Sequence, residues 1–211
     1  MFDLKTLGVA AFIAASAVST MAEGREAMVL ARLPEATSAV PVGEARPVWG
    51  WVDFCRRYAG ECAGGRVAAR DIRLDAHVWS ALVDVNRSVN TAIEPVTDQD
   101  HWGVADRWDI PTDGKGDCED YVLLKRKMLT ERGFPRQALL VTVVVDAHGD
   151  GHAVLTVKTD HGDFVLDNMR DDVLAWVKTG YRFVKRQSQE DQNRWVAIDE
   201  GVQAPATASA R

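Results

Sequence analysis

The stretch "GHAVLTVKTDHGDFVLDN" (Gly151–Asn168) reads as a β-hairpin whose register follows from its apolar residues. A turn centred on Asp160-His161 sets Val157 opposite Phe164 and Leu155 opposite Leu166, giving one continuous apolar face. The same register sets Val154 opposite Asp167 on the other face, which also holds His152. Asp167 is then the diagonal neighbour of His152, within reach of its ring. A slip of one residue would turn Asp167 to the wrong face.

Outward from the hairpin, Leu139–Asp146 supplies a strand before it, and Tyr181–Gln187 and Arg194–Ile198 supply two more after it. The segment Asp171–Val177 is expected to be one short helix. Upstream, Val78, Leu82, Val85, Val89 and Ile93 recur at helical spacing, so Asp75–Ile93 is an amphipathic helix with Asn86 and Asn90 one turn apart. A polar loop with Trp102 and Trp108 leads to a second helix beginning near Cys118, which Gly133-Phe134-Pro135 ends. Helices come first and a mostly antiparallel sheet follows, an α+β pattern.

The 211 residues are enough for one domain with tails. "MFDLKTLGVAAFIAASAVSTMA" (1–22) has the layout of a secretory signal. Lys5 precedes the apolar Leu7–Val18, and Thr20-Met21-Ala22 forms a small-residue cleavage site. That run falls short of the roughly 20 residues a membrane span needs, so export to the periplasm without a stable membrane anchor is expected. Residues 23–48 are read as an extended leader, 49–200 as the folded domain from the Trp49-Gly50-Trp51 cluster onward, and 201–211 as a disordered tail.

The formal charge is −6, and because Asp3 and Lys5 cancel, removing the signal leaves it unchanged. Nothing in that balance favours nucleic acid, whose phosphates require clustered cations. The run Lys125-Arg126-Lys127 is expected to be a solvated helix face. Of three cysteines, Cys55 and Cys62 lie close together with Gly60 between them, and in an oxidising compartment they read as a disulfide. Cys118 is left over.

Cys118 sits in "DGKGDCEDYVLLKRKML" (Asp113–Leu129), where a Gly-rich loop turns into a helix. Tyr121, Val122, Met128 and Leu129 share its side of that helix, so the thiol projects from the first turn towards the sheet. A helix N-terminus lowers a thiol pKa. A cysteine on a helix start, then a histidine and an aspartate on adjacent strands, is what a nucleophile, base and orienting group require. His152 would take the thiol proton and Asp167 would fix its tautomer. His148 and His161 compete for the base role, but both fall in turn tips that hold a side chain less rigidly.

Together, "GKGDCEDYVLLKRKML", "GHAVL" and "FVLDN" resemble the bacterial transglutaminase-like cysteine proteinase family, over about Val89 to Val196. The resemblance implies a papain-like, transglutaminase-type core with Cys118, His152 and Asp167 as catalytic residues. It further implies a protein substrate of the cell-surface adhesin kind and a regulatory partner protein. The best-known member type is periplasmic and calcium-dependent, which by position implies Asp117 and Glu119 as calcium ligands. Oxygen ligands suit Ca²⁺, and the ion would cancel charge that raises the thiol pKa. Helix capping by Asp117, with Glu119 and Asp120 in the first turn, explains the same residues, and both readings stand at this point.

Other motifs fail. "DAHGDGHAVLTV" (Asp146–Val157) opens like an EF-hand loop but ends on Val157 where a bidentate Glu is needed. His148 and His152 lack the surrounding zinc-helix pattern, and "DGKGD" lacks the length and preceding strand of a phosphate loop. The sequence therefore points to a thiol peptidase acting through a thioester. Acyl transfer to an amine and a non-catalytic periplasmic binding module are the alternatives.

Overall fold

The computed structural model describes residues 33–198. The expected signal (1–22), the first part of the leader and the tail (201–211) lie outside the described residues. Strands β1 (Pro41–Ala45), β4 (Leu139–Val145), β5 (Gly151–Thr159), β6 (Gly162–Asp167), β7 (Arg170–Ala175), β8 (Arg182–Gln187) and β9 (Trp195–Ile198) form one sheet. Its order is β1-β9-β8-β4-β5-β6-β7, antiparallel throughout. The helices, α1 (Trp49–Arg57), α2 (Ala59–Cys62), α3 (Ala76–Ala92), α4 (Asp98–Trp102) and α5 (Cys118–Glu131), all precede β4. That is the α+β order read from the sequence.

The β5–β6 hairpin has the register its side chains dictate: Val157 pairs with Phe164 and Leu155 with Leu166. Leu155, Val157, Phe164 and Leu166 are fully buried, and Trp79 of α3 packs edge-on against Phe164 at 5.3 Å. Each such side chain contributes about 1.5–3 kcal/mol of burial. A one-residue slip would put Lys158 and Asp163 on that face instead, which fixes the register. The opposite face buries Val144, Val154, Val165, Trp176, Phe183 and Ile198 with Ala39. It also holds Asp163 between Lys158 Nζ (2.7 Å) and Arg186 Nη1 (2.9 Å).

Ala39 belongs to the segment expected as leader. Residues 34–40 carry no regular secondary structure, and they lie on the sheet. Asp163 Oδ2 accepts from the Ala39 N–H at 3.0 Å, and the Trp176 indole donates to Thr37 Oγ1 at 3.0 Å. β1 follows and pairs with β9, so the folded unit begins before Trp49. A strand that completes a sheet edge is found by its partner, 150 residues further along, and no local pattern announces it.

Two other expectations are corrected. Residues 171–177 are not a helix. β7 pairs with β6 through Ala175, and a 3₁₀ turn, Trp176–Lys178, follows. Val173, Leu174 and Val177 have helical spacing, but an open sheet edge offers the backbone a better set of partners. The Lys125-Arg126-Lys127 run is not a solvated face either: Lys125 is fully buried and Arg126 is 7% exposed. Helix α5 packs on the sheet and on α3, so only a narrow stripe of it reaches water.

Cys55 and Cys62 form the expected disulfide. Asp75 caps α3, its carboxylate accepting from the Val78 N–H at 2.8 Å, a cap worth about 1 kcal/mol. A short parallel pair, β2 (Glu94–Pro95) with β3 (Lys115–Gly116), then ties the end of α3 to the start of α5.

Candidate active site

Cys118 opens α5 and is partly exposed. The Ala153 N–H at the start of β5 donates to its Sγ at 3.4 Å. The helix start therefore abuts the strand residue that follows His152. His152 is 8% exposed and Asp167 is 2% exposed, with Nε2 to Oδ1 at 2.9 Å. Burial pushes the Asp167 carboxyl up. Hydrogen bonds from His152, Tyr181 and the Met169 N–H outweigh it and hold the group below its usual range. An ionised carboxylate only accepts, so Nε2 is the donor and Nδ1 of the neutral ring keeps its lone pair for a proton.

Tyr181, which the sequence reading did not single out, belongs to the same constellation. Its Oη donates to Asp167 Oδ2 at 2.6 Å, and its ring stands edge-on to His152 at 5.5 Å. Burial, and then Asp167, pushes its phenol up to about 12, so it remains a donor. It lies just before β8, and no spacing rule connects it to Asp167. The competing histidines lie elsewhere: His148 is exposed beside Asp146, and His161 faces Glu35.

Among the described residues, the thiol's hydrogen-bond partners are the Ala153 N–H and Glu119 Oε2, to which S–H donates at 3.1 Å. The His152 ring is not one of them. Burial, then Glu119, and further down Asp117, push the thiol well above its ordinary value. Burial and the neighbouring Asp117 push Glu119 itself up to about 9. The carboxylates noted in the sequence do oppose ionisation of the cysteine.

A third carboxylate joins them. Asp98, at the first turn of α4, offers an oxygen within 4.8 Å of oxygens from Asp117 and Glu119. The β2–β3 pair makes this possible: it aligns Pro95 with Gly116, and the Val96 N–H donates to Gly116 O. Asp98 was not legible, because only that long-range pairing brings it beside Asp117. Its Oδ2 accepts from the Arg107 N–H, and its own N–H donates to Asp117 Oδ2 at 3.3 Å.

Asp117 stands at the N-cap position of α5, yet its side chain makes no capping hydrogen bond. Its Oδ1 is buried with no partner, and no cationic side chain pairs with any of the three carboxylates among the described residues. An all-oxygen donor set with an orphaned buried oxygen and no counter-charge fits a hard divalent cation better than a helix cap.

Asp120 plays a different part. Its carboxylate accepts from the Asp109 N–H at 2.6 Å and so pins the loop before α5. Gly116 permits this, since a Cβ there would lie 2.5 Å from Asp120 Oδ2. Burial pushes Asp120 up to about 8.

A thiol at a helix start, set against the strand of a histidine that is bonded to a carboxylate, is the layout of a cysteine hydrolase. The chain belongs to the bacterial transglutaminase-like cysteine proteinases, whose family model matches residues 42–203. It is therefore a cysteine peptidase with a transglutaminase-like fold. Among solved structures it is similar to calcium-bound LapG of Legionella pneumophila, 25% identical with a TM-score of 0.50, over 57% of this chain and 69% of that one. A further LapG structure (25% identical, TM-score 0.48, 56% and 67% covered) and EGTA-treated LapG (25%, 0.49, 59% and 70%) are also similar. No curated protein sequence matches the chain.

Proposed function

We propose that this peptidase hydrolyses a peptide bond in an exported protein through Cys118, His152 and Asp167. His152 Nδ1 takes the Cys118 proton while Asp167 holds Nε2–H and stabilises the imidazolium. Sγ attacks the scissile carbonyl, and the oxyanion is held by backbone N–H groups at the start of α5. The imidazolium returns its proton to the departing amine, leaving a thioester. Water, deprotonated by His152, then cleaves the thioester to the free acid and the thiol. The observation that carries this reading is the buried 2.9 Å bond between His152 and Asp167, on the strand whose next N–H reaches Sγ.

Asp98, Asp117 and Glu119 would hold a calcium ion. When bound, Ca²⁺ supplies the positive charge these carboxylates lack. With Glu119 held there, its carboxylate would compete less for the thiol proton, which would leave Sγ to His152. The donor geometry supports this, as does the calcium-bound form of a similar structure.

Export to the periplasm rests on the signal-like 1–22 segment, and the Cys55–Cys62 disulfide suits that compartment. No helix among the described residues is long and apolar enough to cross a membrane. A cell-surface adhesin as substrate class and a regulatory protein as partner belong to the same proposal, and the family resemblance supports the adhesin. The test is product mass from a cleaved peptide with a primary amine present. Free carboxyl termini support hydrolysis, and amide adducts of the added amine would make the protein an acyltransferase.

A further inference from the structure

We propose that Asn86 and Asn90, one turn apart on α3, are positioning residues for the reaction, because they hold the Asp167 backbone where the β5 ladder has ended and the β7 register has shifted. The inference rests on the reading of Asp167 as the partner of His152. β5 pairing runs only to Leu166, opposite Leu155. On the other side the β6–β7 register shifts between Val165 and Asp167. Asp167 still pairs with Arg170 at the closed end of the β6–β7 hairpin, so its backbone lies past the end of the β5 ladder and just beyond a register shift in the β7 ladder, where a strand residue is less constrained.

Two amides hold that backbone from the helix side. Asn86 is fully buried; its Oδ1 accepts from the Asp167 N–H at 3.1 Å, and its Nδ2 donates to Arg170 O (2.8 Å) and Asp171 O (3.1 Å). Asn90 Nδ2 donates to Asp167 O and Arg170 O, both at 3.0 Å, and to Asp171 Oδ1 at 3.1 Å. Both backbone groups of Asp167 are therefore held by helix side chains. In Asn86 the carboxamide offers donor and acceptor on one planar group, as a strand neighbour does, whereas Asn90 supplies the donor alone. Asp cannot donate, and Gln is one methylene too long for the same helix position. The asparagine spacing of one helical turn matches a turn whose carbonyls point back at the helix. Held in this way, Asp167 presents Oδ1 to His152 and Oδ2 to Tyr181 simultaneously.

The experiment compares Asn90→Ala, Asn86→Ala and Asp167→Asn with the calcium-loaded wild type. It uses a peptide substrate found by fluorogenic library screening. The readouts are kcat, KM, thermal unfolding and the low-field NMR proton of His152 Nε2–H, assigned by its absence in His152→Ala. Asn90 is partly exposed, so its variant folds even where Asn86→Ala does not. The expected result for Asn90→Ala is a fall in kcat of about 10- to 100-fold with KM within about twofold, as for a misplaced catalytic group. The Nε2–H resonance shifts upfield or vanishes in the folded variant. If kcat per folded molecule stays within twofold and the resonance stays in place, the asparagines only stabilise the fold and the inference is overturned. If Asp167→Asn itself keeps full activity, the reading of Asp167 fails first; if Asp167→Asn is inactive while Asn90→Ala is silent, the inference alone fails.

Discussion

Lys125 carries a buried ammonium that the structure leaves without a hydrogen-bond partner among the described residues, and its removal has a calculable effect. Nζ lies over the Tyr121 ring, 5.8 Å from its centroid. Burial pulls the group from 10.5 down to about 7, although Asp167 and Asp171 pull the other way. At about 1.4 kcal/mol per pH unit, such a depression removes about 4 kcal/mol from the native state at pH 7. The sign follows from proton counting. The unfolded chain binds the proton more tightly, so the whole penalty is present below pH 7 and fades as pH rises from about 7 towards 10.5. Lys125→Met keeps the apolar stem and roughly the volume, at a packing cost below about 1.5 kcal/mol. Urea unfolding of the oxidised protein and variant between pH 6 and pH 10 gives the comparison. The variant should be the more stable by about 3–4 kcal/mol at pH 7, with the gap closing by about 1.4 kcal/mol per pH unit above that. A variant less stable at pH 7, with a gap that does not change with pH, would refute the argument. Asp167 and Asp171 would then fully offset the burial of the ammonium.

Chelation should expose the opposite pH dependence. Without a cation, Glu119 (about 9) and Asp120 (about 8) bind protons more tightly folded than unfolded, so EGTA-treated protein loses stability as pH rises from about 4.5 to 9. Calcium-loaded protein should stay flatter over that range by thermal unfolding, and identical curves would exclude the cation site. EGTA should also slow iodoacetamide labelling of Cys118 at pH 7, with calcium restoring it, because the thiol is left facing Glu119. Tyr181→Phe removes one of the bonds holding Asp167 down. The acid limb of kcat/KM should move to higher pH and kcat fall about tenfold, as for loss of a hydrogen bond to a charged group, with an unchanged profile counting against the role.

The hairpin was legible because its two faces differ so sharply. Leu155, Val157, Phe164 and Leu166 cannot exchange places with Lys158 and Asp163, so one register survives and carries His152 and Asp167 with it. The Cys118 helix was legible from its apolar side and its Gly-rich entry, and the disulfide from the close spacing of Cys55 and Cys62. What was missed depends on distant partners. Asp98 reaches Asp117 only through the β2–β3 pair, and Tyr181 reaches Asp167 only through the return of the chain into β8. Residues 171–177 have apolar spacing that fits a helix, but the exposed edge of β6 decides for a strand. Lys125 and Arg126 look like surface charge until α3 and the sheet close over them.

The account's central claim is that Cys118 is the nucleophile and His152 its base. Peptide mapping after iodoacetamide treatment of the oxidised, calcium-loaded protein tests it most directly, with residual peptide cleavage measured on the same samples. The account predicts one modified residue, Cys118, loss of cleavage in step with its labelling, and much slower labelling at pH 7 in His152→Ala. Full cleavage by protein whose Cys118 is wholly alkylated would contradict it.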